Sequence, residues 1–186
     1  MQASQQALVP AHNAGAVIAA AAAEQQQYLT FTLGEEMFAI GILAIREIIE
    51  YGNLTPVPMT PPFIRGVINL RGAVVPVIDL AVRFGRQAGA ATKRTCIVIV
   101  EIQAETGHQE MGIVVDAVSE VLEIPAAEIE PPPAFGARIR IDFVSGMGKV
   151  NGNFVVILDA DRILSVDEIA VVAGMNHAGG EVLPAI

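Results

Sequence analysis

Two stretches of this chain repeat one another, and no other feature constrains its fold as tightly. GVINLRGAVVPVIDL, starting at Gly66, lines up with GMGKVNGNFVVILDA, starting at Gly146: the first glycine, a turn glycine (Gly72 and Gly152), an apolar run and a closing aspartate (Asp79 and Asp159) recur in register. FAIGILAIREII from Phe38 lines up with MGIVVDAVSEVL from Met111, pairing Ile40 with Ile113, Ile45 with Val118 and Glu47 with Glu120. Short apolar runs at regular spacing, separated by turn residues, read as strands, and their recurrence reads as duplication. A small open sheet would leave long unpaired edges, which closure removes. The chain is therefore read as all-β, with two small antiparallel barrels facing each other across a shared apolar seam.

Within the first copy, the polar break Arg71-Gly72 between apolar runs predicts a hairpin, with Gly72 supplying a positive φ and Arg71 standing at the tip in water. Pro76 lacks an N–H and is expected at a sheet edge or a bulge. Asp79 should cap a short helix through Leu80, Val82 and Phe84 that Gly85 stops. Asn151-Gly152 between Phe143–Val150 and Phe154–Leu158 is the strongest short hairpin signal in the chain.

The remaining elements follow in order. Tyr28–Leu33 and Met37–Ile40 alternate around Gly34-Glu35 and predict a first hairpin; Ile42–Ile45 reads as a helical turn and Arg46–Tyr51 as a strand. Thr55–Pro62 carries four prolines, so it is an extended connector. Cys96–Val100 reads as a buried strand, and Met111–Ile124 as one long strand broken in apolarity at Asp116 and Ser119. Pro131–Pro133 marks a loop. Ser165–Glu168 has a capping-box pattern that opens a C-terminal helix stopped by Gly174. The organisation expected is a flexible tail over 1–27, a first barrel over 28–93, a second over 94–164, a helix over 165–174 and a tail over 175–186.

Several classes of chemistry find no support. Eleven basic against twenty acidic residues, a net charge of −9, cannot neutralise a nucleic-acid backbone and suits an anionic membrane no better. The few aromatics argue equally against a small-barrel binder that stacks on bases. The apolar run Ala14–Ala23 is too short to span a bilayer and no Lys or Arg precedes Arg46, so the cytoplasm is the expected location. Cys96, the lone cysteine, is read as core. His12, His108 and His177 stand apart from metal-ligand spacing and are read as solvated. GMGKVNG is followed by a strand where a phosphate loop needs a helix. Asp159 and Asp161 fit a cap better than an acid–base pair, and Ser119 and Ser145 have no base beside them. No catalytic residue, metal or cofactor is expected.

Arg71 stands apart because the repeat places Asn151 at its equivalent, so the turn itself does not demand an arginine. A guanidinium beside an apolar edge suits a carboxylate on a partner, although a solvated turn residue would look the same. Glu47 is either a solvent-facing strand residue or an interface carboxylate, and Ile45 is more often core.

IREII followed by a proline-containing connector, then FIRGVINLRG-x-VVPVIDL and MGIVVD-x-V, resembles the CheW family of bacterial chemotaxis coupling proteins over about Gln27–Val172. The resemblance implies a pair of five-stranded SH3-like barrels and a non-enzymatic adaptor. It implies as partners the histidine kinase CheA, through its CheW-like regulatory domain, and the cytoplasmic tips of chemoreceptors, the bundle of which would lie in the groove between barrels. Membrane association would then come only through those receptor arrays. Carried over residue by residue, it implies partner contacts at Ile42, Ile45, Glu47, Gly66, Asn69, Leu70, Arg71, Gly72, Gly112 and Val118. Coupling proteins of related arrays, such as twitching motility, share these motifs.

Overall fold

The computed structural model describes residues 25–104, 107–133 and 141–163. The expected C-terminal helix and most of both tails lie outside the described residues. Eleven strands are described: β1 Gln25–Leu33, β2 Glu36–Gly41, β3 Ile45–Glu50, β4 Ile64–Leu70, β5 Ala73–Asp79, β6 Cys96–Ala104, β7 Gly107–Val115, β8 Ala117–Pro125, β9 Ile129–Glu130, β10 Val144–Val150 and β11 Asn153–Leu158. A 3-10 turn at Ile42–Ala44 and a short helix at Leu80–Arg83 sit between them, where the helical periodicity placed them. β1 starts at Gln25, so the last residues assigned to the N-terminal tail belong to a strand paired with β8.

These strands form two sheets whose membership crosses the repeat. One runs β8-β1-β2-β11-β10-β9 and the other β3-β6-β7-β5-β4. The boundaries expected at 28–93 and 94–164 do not coincide with this arrangement: β1 and β2 of the first half complete the sheet of the second, and β6 and β7 of the second complete that of the first. The chain passes between sheets at Ile42–Ala44 and again at Asp116. Asp116 therefore splits the expected single strand Met111–Ile124 into β7 and β8. Its carboxylate accepts from the Gly34 amide at 2.6 Å, and its own amide donates to the Thr32 carbonyl at 3.0 Å, fixing the crossing.

Each sheet also contains one parallel pairing, where purely antiparallel barrels were expected. Val77, Ile78 and Asp79 pair with Gly112, Ile113 and Val114, and Ile157 and Leu158 pair with Ala39 and Ile40 in the corresponding way. β5 thus lies inside its sheet and not at the edge that was one of the two places expected for Pro76. A register shift, the other place expected, lies in the adjoining pairs, between Ile64 and Gly66 opposite Ile78 and Val77. Val67, opposite Pro76, exchanges both backbone hydrogen bonds with Thr55 on its far side. Pro76 therefore turns its nitrogen away from β4, towards the side on which pairing with β7 begins only at Val77, and no ladder bond is lost.

The duplication recurs in detail. Both β4–β5 and β10–β11 carry a register shift two residues from the first strand's start, at Ile64/Gly66 and Val144/Gly146. Asp79 and Asp159 both cap the turn that follows, accepting from Val82 N at 3.1 Å and Asp161 N at 3.0 Å. Their own amides donate to Phe63 and Phe143 carbonyls. Arg83 spans the two copies, with its guanidinium 4.8 Å from the Phe63 ring and 4.7 Å from the Phe143 ring.

Three apolar cores result. Ile68, Val75, Val77, Ile97, Ile99 and Val114 cluster on one face of the five-stranded sheet. Tyr28, Ala39, Ile124, Val155 and Ile157 cluster on one face of the other. The largest core lies between the sheets and is built on Phe31, Phe38, Phe84, Val98, Met111 and Ile113. Phe38 stacks on Phe31 and lies against Phe84, with centroids 6.1 and 5.7 Å apart. Cys96 is half-buried at the rim of this seam, with no other thiol in the chain to pair with.

Candidate protein-docking site

The tip of β4–β5 is a two-residue turn in which both residues have positive φ, 51° at Arg71 and 86° at Gly72. This is the mirror-image turn whose twist matches the flanking strands. Gly72 adopts it without strain, whereas an arginine is a rare occupant. Asn69 Oδ1 accepts from Gly72 N at 2.9 Å and ties the turn to its own strand. Arg71 does not simply point into water: its guanidinium pairs with the carboxylate of Glu47 on β3. β3 and β4 are the two ends of the five-stranded sheet, so this pair bridges the sheet's opposite edges.

Glu47 reaches that position because β3 alternates. Ile45, Glu47 and Ile49 are half-buried, while Arg46, Ile48 and Glu50 face out. A register shift between Ile45 and Glu47 sets the local twist. Next to the pair, Arg46 is hydrogen-bonded to Glu101, and His108 Nδ1 lies 3.3 Å from the same carboxylate. The hydrogen bond from Arg46, followed by its charge, holds the Glu101 carboxyl below its ordinary value. His108 is exposed, as expected of a solvated histidine, but it stands in β7 beside a carboxylate rather than in a loop.

The ten residues singled out by resemblance fall into three groups. Glu47, Asn69, Arg71 and Gly72 form the polar cluster at the tip, with half-buried Leu70 packed below against the sheet's core. Ile42, Ile45 and Val118 are half-buried along the seam. Gly66 and Gly112 are buried and face their own chain. A Cβ on Gly66 would stand 2.4 Å from the Thr55 carbonyl oxygen, at a φ of +147°, and one on Gly112 would meet Ile97 and Val77 at 2.8 and 3.0 Å. These glycines hold the site together from behind. Two apolar side chains beside it, Leu43 and Ile48, are exposed, at 94% and 43%. Neither stood out in the sequence: a solvent-facing Glu47 was one of the two readings there, whereas the strand turns Ile48 outward and Glu47 partly in.

A groove of about 260 Å³ is lined mostly by the six-stranded sheet and the turns after β2 and β11, among them Tyr28, Ile40, Gly41, Ala44 and Asp161, with Glu101 from the other sheet. Burial raises the Tyr28 phenol above its ordinary value. Among the described residues no group of three or more His, Cys, Asp or Glu is placed to hold a metal ion, and no helix is long and apolar enough to cross a membrane. The described surface thus offers an exposed ion pair at a hairpin tip, exposed apolar side chains and a groove.

The model of the CheW-like domain matches residues 27–168. The chemotaxis protein CheW of Klebsiella aerogenes is 38% identical over 147 residues, covering 79% of this chain and 86% of that protein. The CheW of Rhizobium meliloti is 31% identical over 143 residues, covering 77% and 90%. The crystal structure of the scaffolding protein TtCheW from Thermoanaerobacter tengcongensis superposes with a TM-score of 0.70 at 37% identity, covering 77% of this chain and 90% of that one. The chain belongs to the CheW family of chemotaxis coupling proteins, and its two sheets have the SH3-like fold of that family.

Proposed function

We propose that this protein is a non-enzymatic adaptor that joins the cytoplasmic tips of chemoreceptors to the regulatory domain of the histidine kinase CheA. The observation that carries the reading is the Arg71–Glu47 pair. It occupies an exposed turn at which the second copy of the repeat has Asn151, so the turn's own geometry does not require a guanidinium. An arginine prepositioned by a carboxylate presents its remaining donors to a partner carboxylate with little loss of side-chain freedom. The half-buried Ile42, Ile45 and Val118, beside exposed Leu43 and Ile48, supply the apolar contact area that an ion pair alone does not.

The groove suits a helical receptor tip, and the apolar sheet edges suit pairing with a CheW-like kinase domain. An adaptor with two such faces acts by effective concentration: each occupied face makes the second association intramolecular. The protein would work in the cytoplasm, held at the membrane only through its receptors. Pull-down with an isolated CheA regulatory domain and with a receptor-tip fragment tests this. Binding to both, weakened by Arg71→Glu, supports the reading; binding to neither overturns it.

A further inference from the structure

The second hairpin tip carries a chemistry that docking leaves unused. Asn151 and Gly152 have φ of 50° and 80°, both are exposed, and they repeat the backbone of Arg71-Gly72. The two tips differ in how the second residue's amide is held. Gly72 N donates to Asn69 Oδ1, whereas the residue equivalent to Asn69 is Lys149, whose ammonium has donors only. Among the described residues Gly152 N has no hydrogen-bond acceptor. A Cβ built on Gly152 would meet nothing within 4 Å, as at Gly72, so the difference between the tips rests on the amide's acceptor.

We infer that Asn151-Gly152 is a site of spontaneous amide-to-acid modification, an ageing site that the first hairpin lacks. The deprotonated Gly152 nitrogen attacks Asn151 Cγ and forms an N–Cγ bond; the Cγ–Nδ2 bond breaks and ammonia leaves, giving a cyclic imide. Water then adds to either imide carbonyl, and the ring opens to aspartate or isoaspartate. Nothing is oxidised or reduced, and water is the co-reactant. In the left-handed conformation the Asn151 ψ must rotate before nitrogen and Cγ meet, so ring closure requires the tip to open. A tip with a free Gly152 amide opens more readily than one tied by Asn69. The aspartate product keeps the turn and adds a carboxylate near Lys149. The isoaspartate product lengthens the backbone by one carbon, which a two-residue turn cannot accommodate.

Incubation of the intact protein in mildly alkaline buffer, followed by peptide mapping that separates aspartate from isoaspartate, tests this. Conversion at Asn151 should outpace that at Asn53, Asn69 and Asn153, which precede Leu54, Leu70 and Phe154. Lys149→Asn, which supplies the acceptor that Asn69 provides in the first hairpin, should slow it about fivefold, the worth of one ordinary net hydrogen bond. Asn151→Gln should abolish it. Conversion at Asn151 no faster than at Asn53 and Asn153, or an unchanged rate in Lys149→Asn, overturns the inference.

Discussion

Arg71, at the tip of one hairpin, is held by the carboxylate of Glu47 on the far edge strand of the same sheet, so a single ion pair ties the two ends of the five-stranded sheet together. Its strength is modest, because the arginine side chain is 71% exposed and exposed pairs contribute about 0–1 kcal/mol. Its geometric effect is larger. It fixes where a guanidinium stands on an otherwise mobile side chain.

Glu47→Gln should therefore leave the urea midpoint nearly unchanged, shifting stability by less than about 1 kcal/mol. Receptor or kinase binding should weaken, because Arg71 loses its positioning partner. Isothermal titration of each partner against the variant measures this, with denaturation run alongside.

Gly66 should behave in the opposite way. Alanine there would place a Cβ 2.4 Å from the Thr55 carbonyl oxygen at a φ of +147°. Backbone strain and overpacking each cost about 1–3 kcal/mol, so Gly66→Ala should lose about 2–6 kcal/mol in denaturant unfolding. Any loss of partner binding should follow the fraction unfolded.

Phe38 tests whether the two sheets form one cooperative unit. It is fully buried between them, against Phe31 and Phe84. Phe38→Ala should cost about 3–5 kcal/mol, with circular dichroism and fluorescence-probe transitions still coincident. Two separated transitions would mean that the sheets unfold independently.

Glu101 gives a pH-dependent prediction. Arg46 holds its carboxyl below the ordinary value, so the stability this contributes is present above the unfolded-state pKa and is lost as pH falls through the folded-state pKa. In Arg46→Ala the NMR titration of Glu101 should move upward. An unmoved midpoint would assign the lowering to another group.

Local elements were largely legible in the sequence, because turn chemistry and capping act within a few residues. Asn151-Gly152, Arg71-Gly72 and the caps at Asp79 and Asp159 all form where their residue types require. The exchange of strands between sheets was not legible. Alternation identifies a strand and its buried face but not its neighbour, and β1–β2 is equally apolar towards either half. The edge half of the Pro76 expectation failed for the same reason: its strand is internal, and the pairing of Val67 with Thr55 explains how. At the site, Arg71 stood out because it fails to recur in the repeat. Its pairing with Glu47 depends on how the sheet curls, which local sequence does not encode.

On the proposed function, Arg71 serves partner binding rather than the turn it occupies. Arg71→Asn tests it most directly, because it installs the residue that the second copy uses at the same backbone angles, φ 51° against 50°. The Asn-Gly pair is the preferred occupant of this turn, so unfolding stability should stay the same or rise by a few tenths of a kcal/mol. Affinity for the receptor tip or the kinase regulatory domain, measured by titration, should fall by about ten- to a hundredfold, the range for losing a charge-assisted hydrogen bond. Full affinity for both partners in a stable Arg71→Asn protein, or clear destabilisation of the variant, would contradict the account.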